Sequence, residues 1–255
     1  MRASYALSGS TDSFRSDAKQ MDKRRRYGGS SIDLRLPVLC AACRGQQREE
    51  SRGVLVSLSQ VCAGSVEYAA MRDFLHSESA AMARLINLPP TLRARKAALA
   101  NGRRLCEDLL EPLQARFSRL NIRSAYRSQE VNDYCNRKGH WGCASNEKNF
   151  GRHIWDVPSA DLGRGAMCCV VIPKVADLYD KDRSIWRELA WWIHDRLPYS
   201  ELEFFPRLCA FNVGWAEQPQ RRITTWIESP RVFTDPGMDN YSDRHDSLYA
   251  RLESI

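Results

Sequence analysis

Arg127 closes the stretch Ile122-Arg123-Ser124-Ala125-Tyr126-Arg127-Ser128, and Val131-Asn132 follows shortly after. A guanidinium carries several donors in one fixed plane and keeps its charge, so at a strand end it suits a substrate carboxylate or a developing oxyanion. It equally suits a structural arginine that ties the strand end to a neighbouring loop, and the sequence leaves both roles open. Cys135, His140 and Cys143 gather three soft ligands in one loop region, one short of the four that a closed structural zinc site uses. Cys40-Ala41-Ala42-Cys43 has the spacing of a metal or redox pair, but no second pair accompanies it. Trp141, set between Gly139-His140 and Gly142, reads as an exposed platform on which a peptide or glycan would stack. His194-Asp195 reads as an exposed helix end, where a cation favours the C-terminal dipole.

The Ser124-Ala125-Tyr126-Arg127-Ser128 motif, with Asn132 a few residues on, resembles that of the zinc-dependent D-alanyl-D-alanine peptidases of bacterial cell walls. The resemblance implies a Hedgehog-type DD-peptidase fold in which Arg127 holds the oxyanion and Ser124 and Tyr126 wall the substrate. It also implies a zinc site built from a His, an Asp seven positions later, and a last His far downstream on a strand. Three such ligands and one open position let bound water become a nucleophile near neutral pH. In Asn149-Phe150-Gly151-Arg152-His153-Ile154-Trp155-Asp156 the Asp is present, Asn149 stands where the first His is expected, and the nearest imidazole is His153. Downstream, Ala216 follows Trp215 where the last His belongs; a second alignment sets Glu203-Phe204-Phe205-Pro206 against the family's Glu-aromatic-aromatic-His and keeps only the carboxylate. The implied working set is His153 and Asp156 on zinc, Arg127 on the oxyanion, and Glu203 or Glu217 as general base. Glu217 or His194 is the candidate to complete this depleted metal motif.

The expected function is therefore hydrolysis of a peptide bond by metal-activated water, with zinc as cofactor and a peptide or peptidoglycan fragment as partner. The missing ligands keep open a non-catalytic module that binds a peptide, a glycan strand or a protein on the same fold. A third class, a nucleic-acid accessory protein, would use a basic leader.

These side chains need a frame. Tyr68, Met71, Phe74, Leu75 and Met82 predict a helix from about Val66, ended by Leu88-Pro89-Pro90. A second helix is expected over Thr91 to Phe117, with Leu105, Leu109, Leu110, Leu113 and Phe117 on one stripe. Leu120 to Ala125 alternates like a strand, Gln129 to Arg137 returns to helix, and a loop follows from Lys138 to Arg152. Met167 to Ile172 predicts a buried strand and Arg183 to Arg196 a helix with Ile185, Leu189, Trp192 and Ile193 inward. Leu202 to Phe205, Ala210 to Trp215 and Arg222 to Ile227 predict three strands, the last two joined by a turn through Pro219. The expected class is α+β, N-terminal helices followed by a small mixed or antiparallel sheet. The expected organisation is a disordered basic leader over 1–31, an extension over 32–65, a DD-peptidase-like domain over 66–230 and a polar tail over 231–255, with a final helix over Ser247 to Glu253.

The 255 residues, 43% hydrophobic and 27% charged, suffice for a full core. Their longest apolar runs, such as Val38 to Cys43, are far shorter than the roughly 20 residues of a membrane span. The first thirty residues have no apolar core of a secretory signal, and nine scattered cysteines fit a reducing compartment, so the chain is expected in the cytoplasm. Eleven of the Lys and Arg residues, against six Asp and Glu, fall within residues 1–65, so the net charge of +7 belongs mainly to the leader and its Lys23-Arg24-Arg25-Arg26 run. Such a run reads as a solvated tail before it reads as a phosphate contact.

Overall fold

The computed structural model describes residues 71–138 and 142–254. The leader, the 32–65 extension with Cys40 and Cys43, Tyr68, His140 and Trp141 lie outside the described residues.

The first helix expected is broken into two pieces, a 3-10 turn over Arg72–Leu75 and α1 over Glu78–Ala83. The break is local chemistry. The Ser77 hydroxyl accepts the Ala80 amide at 3.2 Å and so caps a new helix, and Arg84 closes it in the left-handed region at φ 56°. Met71 and Phe74 are buried as the stripe requires, whereas Met82 is exposed.

Helix α2 spans Leu92–Leu105, capped by the Thr91 hydroxyl, and runs through a widened π turn over Cys106–Leu110 into α3 over Glu111–Phe117. The widening precedes Pro112, whose ring would otherwise strike the carbonyl four residues back. Leu105, Leu109, Leu110, Leu113 and Phe117 are all buried, as their spacing predicts. Gly102 on this helix faces Trp155 so closely that a Cβ would lie 2.7 Å from the ring.

The rest of the chain alternates strands and helices: β1 Asn121–Ser124, α4 Gln129–Lys138, α5 Asn146–Asn149, β2 Gly165–Val171, α6 Pro173–Lys181, α7 Ile185–Arg196, β3 Glu201–Phe204, β4 Phe211–Ala216, β5 Arg222–Thr225, β6 Val232–Thr234 and α8 Ala250–Glu253. The six strands form one open sheet in the order β1-β2-β4-β3-β5-β6. All neighbours are antiparallel except β3 and β5. The α+β class expected from the sequence is the class observed. The turn through Pro219 does not make β4 and β5 sheet neighbours, because β3 lies between them.

Alternation gives the sheet two faces. Cys168, Val213, Leu202 and Ile223 are fully buried in the main core with α2, α3 and α7. The opposite face carries one row across four strands, with Ser124 opposite Cys169, Cys169 opposite Asn212 and Asn212 opposite Glu203. The segment 231–255 is more than a polar tail, since it supplies β6 and packs Tyr249 and Leu252 into the main core. Among the described residues, no helix is long and apolar enough to cross a membrane.

Candidate functional site

Chain leaving β1 is pinned from two sides. Asn87 donates to the Tyr126 carbonyl oxygen at 2.9 Å and accepts the Ser128 amide at 2.8 Å, while the Tyr126 amide donates to the Phe74 carbonyl oxygen at 3.1 Å. On the other side the Arg127 amide donates to the His153 carbonyl oxygen at 2.8 Å. The 149–157 loop thus takes the place on the β2 edge that β1 vacates, and the Met167 amide donates to the Arg152 carbonyl oxygen at 2.9 Å. Glycine is required at this join: a Cβ on Gly165 would sit 2.1 Å from the Gly151 carbonyl oxygen.

This frame holds two associations, Tyr126 with Asp156 and Arg127 with His153. The buried Tyr126 donates from Oη to Asp156 Oδ1 at 3.1 Å. Burial raises the Asp156 carboxyl above its ordinary range, while its own backbone amide and Tyr126 pull the other way. Burial, then the Asp156 charge, raises the Tyr126 hydroxyl. His153 is buried and donates from Nδ1 to the Ala125 carbonyl oxygen at 2.9 Å, which leaves Nε2 as the lone-pair nitrogen. Burial first, and the Arg127 charge second, push the imidazole down to about 3, so the ring is neutral at pH 7.

Asn212 links this group to Glu203. It makes a side-chain hydrogen bond with His153 and donates from Nδ2 to Glu203 Oε2 at 3.0 Å. The other Glu203 oxygen accepts the Trp226 indole at 2.7 Å. Ser124, half-buried, begins the same row on β1. Glu217 stands apart: it is exposed, and Arg164 binds both of its oxygens. Trp141 lies outside the described residues.

Arg127 is half-buried. Its Nη1 donates to Cys143 Sγ at 2.8 Å, while its Nε is buried with no hydrogen-bond partner among the described residues. No carboxylate pairs with it among the described residues.

The residues present do not fit the zinc site that the resemblance implies. His153 and Asp156 belong to no group of three potential ligands among the described residues. An amide, Asn212, occupies the place beside His153, and the Arg127 cation lies close enough to depress that imidazole. Asn149 is committed to the backbone, donating to the carbonyl oxygens of Ala144 and Ser145 at 3.1 and 3.2 Å. Ala216 lies four residues beyond Asn212, about 13 Å along the strand, and pairs with Gly165.

A different group, His194, Asp195 and His245, brings its ligand atoms within 4.8 Å of one another and could hold a metal ion. His194 is buried and not an exposed helix end. All four ring nitrogens here already have partners within the chain. His194 contacts Tyr199 Oη at 2.7 Å and the Tyr241 carbonyl oxygen at 3.0 Å; His245 contacts Asp195 Oδ1 at 2.9 Å and the Asn240 carbonyl oxygen at 3.0 Å. Burial holds His194 below its ordinary value, and the His245 ring stacks on Trp191 at 3.8 Å. The separation of Asp195 from His245 in the chain hides this group from a reading of local spacing.

No family model matches the chain, and no curated protein or solved structure was found to be similar to it.

Proposed function

We propose that the chain is a peptide-binding domain of the D-alanyl peptidase type, Hedgehog-like in fold, which keeps the recognition half of that site without its zinc. The observation that carries this reading is Arg127, a half-buried guanidinium with no carboxylate partner and, at its buried Nε, no hydrogen-bond partner among the described residues. A buried donor without an acceptor costs about 1–3 kcal/mol, and a buried charge is normally paired. The C-terminal carboxylate or last carbonyl of a peptide supplies both an acceptor and an anion, in the planar geometry that a guanidinium matches. His153 lies beside it, close enough for the Arg127 charge to depress the imidazole. The partner is a peptide ending in D-alanine, free or as a peptidoglycan fragment.

A second reading keeps hydrolysis. It is favoured by the Asn212 bridge, which connects Glu203 to His153 and so places one carboxylate in reach of the site. One experiment addresses both: acyl-D-Ala-D-Ala is titrated into the full chain by calorimetry, and release of D-alanine is followed in parallel. Binding without release supports the binding domain. Release supports the hydrolase, and neither binding nor release overturns both.

A further inference from the structure

Helix α4 presents Asn132, Cys135 and Asn136 at three- and four-residue spacing, hence on one face. The two asparagines hold the loop that returns past this face. Asn136 donates to the Cys143 carbonyl oxygen at 2.8 Å, and Asn132 donates to the Ala144 carbonyl oxygen at 3.0 Å. This lays Cys143 against Cys135, and both join the small apolar cluster of Ala80, Val131 and Leu85. The thiols hydrogen-bond each other, Cys135 also bonds Ser79, and Arg127 donates to Cys143 Sγ at 2.8 Å. Both cysteines are free.

From this juxtaposition we infer that Cys135 and Cys143 are a redox pair that forms a reversible disulfide with a small-molecule disulfide as oxidant. The pair shares Arg127 with the proposed peptide site, but its test reads disulfide formation alone and does not depend on peptide binding. The Cys143 thiol first, then Ser79 and Arg127, stabilise a thiolate at Cys135 against the cost of burial, which lowers that thiol from its ordinary value. Cys106, Cys168 and Cys209 lack this setting, and burial raises all three. In the exchange the half-buried Cys143 passes its proton to Cys135 and attacks one sulfur of the external disulfide, releasing one thiol. Cys135 then loses the proton and attacks the Cys143 sulfur, releasing the second. Two cysteine thiols and one external disulfide become one protein disulfide and two small thiols, with two electrons moving outward. The new bond clips the loop to α4 and removes the thiol that Arg127 donates to.

The test equilibrates the full chain with mixtures of reduced and oxidised glutathione, alkylates free thiols, digests with trypsin and weighs the peptides. Arg137 and Lys138 separate the two cysteines, so the peptides 128–137 and 139–148 are released apart when reduced. Oxidation is expected to join them into one species lighter by two hydrogens than their sum, and dithiothreitol to part them again. Cys135→Ser is expected to abolish the joined species and leave a glutathione adduct on Cys143. Both peptides remaining alkylated in fully oxidised glutathione, or either joining a different cysteine, overturns the assignment.

Discussion

The Arg127 amide donates to the His153 carbonyl oxygen at 2.8 Å, so the side chains of these two residues leave neighbouring points of one frame. Their charges are then coupled: the fixed guanidinium helps to keep the buried imidazole neutral. The site is therefore built around one cation, with the histidine as a neutral neighbour.

This arrangement makes a pH prediction. His153 has an ordinary value of 6.5 when unfolded and about 3 in the fold. Below pH 6.5 the unfolded chain takes up a proton that the folded chain refuses, so stability is present above 6.5 and is lost as pH falls toward 3. The urea midpoint is expected to fall across that window, and His153→Gln to flatten part of the fall. His194, also depressed, accounts for a remaining slope. A His153 ring that titrates near 6.5 by NMR in the folded chain contradicts the assignment.

Tyr126→Phe removes the donor to Asp156. The carboxyl, already raised by burial, is expected to rise further. The loss is about 1–2 kcal/mol at pH 7, below the upper end for a bond to a charged group because Asp156 is half-buried. Near pH 4 the penalty should shrink as Asp156 protonates. Denaturant titrations at the two pH values measure both, and an equal loss at each would show that the bond is not to a carboxylate.

Gly102→Ala sets two effects against each other. Helix propensity favours Ala by about 1 kcal/mol, but its Cβ would lie 2.7 Å from Trp155. The ring has little room to yield, because its Nε1 donates to the Met167 carbonyl oxygen at 3.0 Å and Asn101 holds the Trp155 carbonyl oxygen at 2.7 Å. Overpacking should win, with a net loss of about 1–3 kcal/mol in chemical denaturation. A stabilised variant would mean that Trp155 is not fixed there.

His245 fastens the C-terminal segment through Trp191, Asp195 and Asn240. His245→Ala is expected to cost about 2–4 kcal/mol and to raise hydrogen exchange over 239–252. Zinc would have to break these internal bonds to enter, so adding or chelating it should leave the wild-type melting midpoint unchanged. Stoichiometric zinc that raises the midpoint would show that the group is a metal centre.

Much of the frame was legible in local spacing. The Leu105 to Phe117 stripe and the inward face of α7 follow from helical periodicity, and their side chains are buried where it places them. Helix α6 was not legible, because Pro173 directly follows the apolar β2 run and reads as an end although it occupies the first helical turn. The split at Ser77 depends on one capping bond inside an otherwise regular pattern. At the site, Arg127, His153 and Asp156 were visible as residue types. The row Ser124, Cys169, Asn212 and Glu203 was not, because its members come from four strands whose register no local pattern encodes. The same holds for His194, Asp195 and His245.

The most direct test of the central claim is calorimetric titration of acyl-D-Ala-D-Ala into the wild type and Arg127→Ala, with the C-terminally amidated peptide as control. The account predicts binding by the wild type and a loss of about 10- to 100-fold in Arg127→Ala, the worth of one charge-assisted bond. It also predicts that amidation weakens wild-type binding more than it weakens binding by the variant. Equal affinities for wild type and variant, or no binding by the wild type, would contradict it.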